Sequence, residues 1–164
     1  MVHITLIAFI PTAEKSDENQ EDWENGKIIN FTYQDLSQEY QVKTFIRCLQ
    51  RCKNAEIVRL EENRVSSLNS LKAKVTLPNC TELYAAKNHF STFDDLPIMP
   101  KLIILDLTRN NIVSADGLDR YPNLCHLLLH ECPITFTADY RGVIASANKA
   151  GCLIVCHFLA YISF

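Results

Sequence analysis

Three stretches of the chain carry apolar residues at identical intervals. They are Cys80-Leu83-Ala85-Asn88-Phe90, Leu102-Leu105-Leu107-Asn110-Ile112 and Leu124-Leu127-Leu129-Cys132-Ile134, each starting 22 residues after the one before. A unit this short cannot bury its own apolar side chains, so it must stack on its neighbours, and a chain of such units coils as a solenoid of short strands. The first, fourth and sixth places of each unit are expected to face inward, with Leu102, Leu105 and Leu107 the best-formed set. A second mark repeats in step: Pro78-Asn79, Pro100-Lys101 and Pro122-Asn123 precede the strands, and proline there ends whatever helical turn comes before.

An earlier unit fits at Ala55-Val58-Leu60-Asn63-Val65, 25 residues before the Cys80 unit. Asn63, Asn88 and Asn110 follow the strands, where the chain bends into a dry interior. An amide side chain with two donors and an acceptor satisfies backbone groups of adjacent coils there, and Cys132 fills the same slot with a small thiol. Ile28, Phe31 and Tyr33 are expected to supply a first strand, with Leu36 standing where Asn belongs. From Tyr40 to Asn54, Val42, Phe45, Ile46 and Leu49 recur at helical spacing, so this segment is expected to cap the first coil as an amphipathic helix. The chain then divides into an apolar segment and acidic linker (1–26), an N-terminal cap (27–54), the repeats with a partial C-terminal cap (55–147) and an apolar tail (148–164).

With 48% apolar and 21% charged residues over 164 positions, the chain has the material for one hydrophobic core. A net charge of −3 offers no basic stripe for nucleic acid. Of the seven cysteines, Cys80 and Cys132 fall in repeat slots and no Cys-rich flanking caps occur, which points to a reduced, intracellular setting, cytoplasmic or nuclear. Cys48/Cys52 and Cys152/Cys156 recur one helical turn apart but lack His partners at zinc spacing, so no metal or other cofactor is expected. The triplets Asn30-Phe31-Thr32 and Asn79-Cys80-Thr81 sit inside the repeat frame and read as unused glycosylation acceptors. Val2 to Ile10 lacks a basic leader and a small-residue cleavage site, and reads as an extra strand or a loose tail, with a signal segment as the less favoured alternative. Ala13 to Gly26 reads as a solvated acidic linker holding Trp23. Cys152 to Phe164 is apolar but too short to span a bilayer, and reads as a buried final strand.

The 22-residue spacing, the proline before each strand and the stretch Asp139-Tyr140-Arg141-Gly142-Val143-Ile144 resemble the short-repeat leucine-rich repeat family with a C-terminal cap. Its members include a nuclear regulator of protein phosphatase 1, the spliceosomal A-prime protein, the acidic leucine-rich nuclear phosphoproteins and a dynein light chain. The resemblance covers about residues 55 to 147. It implies an α/β, right-handed curved solenoid with parallel strands on the concave face and a capping helix near Tyr140 to Ala147. The family's Leu-Pro and Leu-Asp closing motif is replaced here by Asn148-Lys149-Ala150-Gly151 and the apolar tail, and the long acidic tail of the nuclear phosphoproteins is missing. Members with unrelated roles share the fold, so the resemblance conveys architecture and mode of action.

Strand residues between the inward-pointing ones are expected on the concave face. These are Ile57, Arg59 and Glu61, then Glu82, Tyr84 and Ala86, then Ile104, Asp106 and Thr108, then His126, Leu128 and His130. Polar residues there need no special explanation, but Ile57, Ile104 and Leu128 on one open face ask for burial under a partner or a terminal segment. Four or five strands at about 4.8 Å make a face roughly 15–20 Å wide, matched to one helix of about 10–12 Å or an extended segment. The expected function is a non-enzymatic adaptor that holds a protein segment, with Arg59, Tyr84, Asp106 and His126 as leading contacts and no direct nucleic-acid or membrane contact. A subunit role in a ribonucleoprotein or nuclear regulatory complex is the alternative. Metal-dependent chemistry at His126 and His130 is disfavoured, since four residues along a strand separate them by about 13 Å.

Overall fold

The computed structural model describes residues 4–5, 25–36, 39–69, 74–147 and 154–156. Seven short strands form one sheet: β1 (Ile4–Thr5), β2 (Ile28–Asn30), β3 (Ile57–Arg59), β4 (Glu82–Tyr84), β5 (Ile104–Asp106), β6 (His126–Leu128) and β7 (Ile154–Cys156). Their spatial order is their chain order, and every neighbouring pair is parallel. Two helices complete a mixed α/β architecture, α1 (Glu39–Arg51) and α2 (Tyr140–Ala147). Consecutive parallel neighbours require each connection to travel out and return one strand further along, so a residue and its equivalent in the next unit lie side by side.

The register shows this directly. Ile29, Val58, Leu83, Leu105 and Leu127 pair in a single row, and all five are buried. The flanking inward residues, Ala55 and Leu60, Cys80 and Ala85, Leu102 and Leu107, Leu124 and Leu129, are buried with them. Backbone pairing continues past the strands, as in Leu107 N–H to the Leu128 carbonyl (2.9 Å) and Arg109 N–H to the His130 carbonyl (2.7 Å).

The buried asparagines tie successive coils together. The Asn88 side-chain oxygen accepts from the Asn63 and Val65 N–H groups (3.2 and 3.0 Å), while its amide donates to the Leu60 and Ala85 carbonyls (2.8 and 3.1 Å). Asn63 and Asn110 do the same one coil earlier and later, each donating to a carbonyl of the preceding coil. Cys132 continues the series: its thiol donates to the Leu107 carbonyl (3.0 Å).

The first coil corrects the sequence reading by two residues. The pairing Ile29↔Val58 puts Ile29 and Phe31 inward, Gln34 in the slot of the asparagines and Leu36 in the slot of Val65. Ile28 and Tyr33 therefore face out, Tyr33 with 69% exposure. The bulk of those two side chains suggested a core frame, whereas Gly26 stands at the first inward place. The cap meets its expectation: Phe45 and Leu49 of α1 are buried, Val42 and Ile46 pack beside them, and Phe45 meets Phe31 edge-on at 5.1 Å. The helix stops at Arg51, before Asn54.

Opposite the sheet, 3-10 turns at Phe93–Asp95 and Leu118–Arg120 stack Phe93 and Leu118 into the core. Gly117 opens the second turn at φ 82°, where a Cβ would lie 2.8 Å from the Asp94 backbone nitrogen, so no other residue fits without displacing that coil. Tyr121 is buried beside them and donates its hydroxyl to the Phe93 and Pro97 carbonyls. A parallel bridge between Thr76 and Ile98, unforeseen in the sequence, links the backs of two coils. Helix α2 occupies the span implied by the family resemblance and buries Tyr140 and Ile144. Most of the acidic linker, Trp23, Val2 to Ile10 apart from β1, and the tail apart from the backbone of β7 lie outside the described residues.

Burial leaves a titration signature. The Cys80 thiol is pushed up from 9.0 to about 12, and the Tyr121 phenol is also raised, both chiefly by desolvation. Above pH 9 an unfolded chain releases the Cys80 proton while the folded one retains it, so stability present below that pH falls as the pH rises towards 12. The urea midpoint is expected to drop between about pH 8.5 and 10.5, and Cys80→Ala should make that drop shallower. An unchanged pH slope in Cys80→Ala would show that other groups set the alkaline limit.

Candidate functional site

Side chains of the sheet alternate, so each strand from β2 to β6 sends its middle residue into the core and its outer two to the open face. The first outward row runs Ile28, Ile57, Glu82, Ile104 and His126; the second runs Asn30, Arg59, Tyr84, Asp106 and Leu128. All ten are partly exposed. Two places further along each coil, Thr32, Glu61, Ala86, Thr108 and His130 extend the face, again partly exposed. Every residue singled out for the face thus lies on it. The two-residue correction in the first coil adds Ile28, Asn30 and Thr32, and the backbone of β7 pairs in register beside β6, Ile154 with His126 and Cys156 with Leu128.

The face is organised around Tyr84. The Arg59 guanidinium lies over the Tyr84 ring, 4.5 Å from its centroid, and is paired to Glu61 at 3.2 Å. Stacking and pairing together hold a flexible cation flat. The Tyr84 hydroxyl donates to Glu82 Oε2 at 2.9 Å, and partial burial together with that carboxylate raises its pKa. Glu61 also accepts the Thr32 hydroxyl (2.9 Å), and Asp106 Oδ1 accepts the Thr108 N–H (2.8 Å). Neither Glu82 nor Asp106 has a cationic partner among the described residues.

One margin of the face carries a row that was not anticipated. Tyr33, Glu62, Lys87, Arg109 and Glu131 occupy the place just before the Asn or Cys slot, and all five adopt left-handed backbone with φ between 56° and 60°. Glu62 receives both Lys87 and the Tyr33 hydroxyl, which hold its carboxyl below the usual range. Arg109 grips Glu131 through two bonds of 2.7 and 3.1 Å and lowers its pKa likewise. His130 Nε2 lies 3.0 Å from the same Glu131 carboxylate. The sequence signal for this row is the repeat spacing itself, applied one residue before each Asn. A shallow depression lined by Tyr33, Asp35, Glu62, Arg64 and Lys87 adjoins it, with its charges already paired as Lys87–Glu62 and Arg64–Asp35.

No group of three or more His, Cys, Asp or Glu residues converges to metal-binding geometry among the described residues. Just past the end of α1, the Cys52 thiol donates to the Cys48 carbonyl at 3.4 Å. No helix among the described residues is long and apolar enough to cross a membrane. The side chains of both glycosylation triplets are engaged locally: Asn30 accepts from Thr32 N–H, and Asn79 bridges the Lys53 carbonyl and Lys101. Comparison with protein-family models and with curated proteins finds no match to this chain.

Proposed function

We propose that the chain is a right-handed leucine-rich repeat solenoid of the short-repeat family and acts as a non-enzymatic adaptor. Its outward sheet face, curved inward, holds a helix or an extended segment of another protein. The observation that carries this reading is the regular outward placement of Ile57, Ile104 and Leu128 around Tyr84, on a sheet whose opposite face already packs the core. Aliphatic and aromatic side chains ringed by polar ones are the composition of interface centres, and Tyr and Arg are their commonest anchors. Five strands with four gaps of about 4.8 Å span roughly 19 Å, room for one helix and its flanking side chains. Arg59, Glu82, Tyr84, Asp106, His126 and His130 supply the polar contacts of this reading, and the rigid stacking of Arg59 on Tyr84 lowers the entropy lost on binding.

The test is quantitative. A partner captured by the full chain is identified, purified and titrated against the wild type and a Tyr84→Ala/Leu128→Ala variant whose folding is checked by circular dichroism. Removing two central apolar contacts is expected to weaken binding by at least about 30-fold, roughly 2 kcal/mol. Unchanged affinity in a folded double variant would remove this face from the proposed role.

A further inference from the structure

We infer that the segment held on this face is a basic amphipathic helix, one that sets Lys or Arg side chains beside an apolar stripe; this rests on the reading of the face as a protein-binding surface. The charges of the open face are uneven. Glu61, Glu82 and Asp106 stand against Arg59 as the only fixed cation among its described residues, with the His126 and His130 imidazoles at one end. Arg59 is already neutralised by Glu61 and laid flat on Tyr84. What remains is two carboxylates, Glu82 and Asp106, held in place by Tyr84 and Thr108 and without a cation among the described residues.

Their surroundings specify more than charge. Glu82 lies between Ile57 and Ile104 in one row, and Asp106 between Tyr84 and Leu128 in the other. Each carboxylate is therefore flanked on both sides by apolar surface, and a ligand that buries that surface must supply a partner for the charge or lose affinity by leaving it desolvated. Adjacent strands are about 4.8 Å apart and alternate residues about 6.7 Å, so the two acidic positions lie roughly 8 Å apart on a diagonal. Long basic side chains one helical turn apart span that interval while the same helix lays its apolar stripe on Tyr84, Ile104 and Leu128.

The other occupants fit less well. A second copy meeting this face with its own would set carboxylate against carboxylate. The chain's linker before β2 carries Glu14, Asp17, Glu18, Glu21, Asp22 and Glu24 against Lys15, the same sign as the face.

The experiment uses the full chain and two synthetic probes, an amphipathic helical peptide of Leu and Lys about 18 residues long and its counterpart with Glu in place of every Lys. Binding is followed by fluorescence anisotropy at low and moderate salt. The Lys peptide is expected to bind at least about tenfold more tightly than the Glu peptide and to weaken as salt rises. Glu82→Gln/Asp106→Asn keeps the acceptors for the Tyr84 hydroxyl and the Thr108 N–H, so it retains the face while removing its charge. It should weaken the Lys peptide by about tenfold and flatten its salt dependence, whereas Asp119→Asn, on an exposed turn away from the sheet, should change it less than about twofold. Equal binding of the two peptides, no binding of either, or equal losses in the two sets of variants would overturn the inference. A protein partner that loses affinity with Tyr84→Ala/Leu128→Ala but not with Glu82→Gln/Asp106→Asn would also overturn it, while leaving the adaptor reading intact.

Discussion

Replacing Asn88 by Ala is expected to lower the free energy of unfolding by about 3–6 kcal/mol, a loss that urea denaturation would measure. The side chain is 2% exposed and accepts from two backbone N–H groups while donating to carbonyls of two coils. Alanine leaves those groups without partners in a space closed to water, at on the order of 1–3 kcal/mol for each group that cannot relax. Against a total of about 5–15 kcal/mol for a domain, that loss brings the chain close to unfolding at ordinary temperature. Asn88→Cys is the informative companion, because Cys132 already fills the equivalent slot and donates its thiol to the Leu107 carbonyl. It should recover about 1–2 kcal/mol relative to Ala. Equal midpoints for the two variants would show that a thiol does not take over the amide's role.

Leu107→Ala is expected to cost about 2–5 kcal/mol, from lost transfer free energy and from the cavity left between stacked coils. Leu107 is wholly buried, and the following coil holds its backbone: its N–H donates to the Leu128 carbonyl, and its carbonyl accepts the Cys132 thiol as well as the Asn110 amide of its own coil. The neighbouring Ile104 faces outward, and Ile104→Ala should cost less than about 1 kcal/mol. Thermal or urea midpoints of the two variants separate these cases, and similar losses would contradict the alternation on which the face depends.

The central coils were legible because stacking imposes a strict spacing on bulky apolar residues, and Leu83, Leu105 and Leu127 repeat it without interruption. The helix over the first coil was legible for a related reason: Val42, Phe45, Ile46 and Leu49 mark one side of a 3.6-residue period. The first coil misled because its hallmark slots hold Gly26 and Gln34, while Ile28 and Tyr33 look more like core residues than the positions they occupy. The left-handed row stayed hidden because none of its residues is glycine; Glu62, Lys87, Arg109 and Glu131 look like ordinary surface charges. Membership of the open face followed from alternation alone. The stacking of Arg59 on Tyr84 and the bonds that hold Glu82 and Asp106 depend on rotamers and cross-strand neighbours, which no linear spacing encodes.

The asparagine ladder has a direction. Amides in the turn of one coil are received by the side chain of the coil that follows: Gln34 by Asn63, Val65 by Asn88 and Phe90 by Asn110. A ribosome releases the amino-terminal coils first, so each emerging turn waits for the next length of chain before its last polar groups are satisfied. Growth of the folded body therefore lags translation by one coil, and a nascent chain halted between Asn88 and Asn110 would hold its newest turn unfinished.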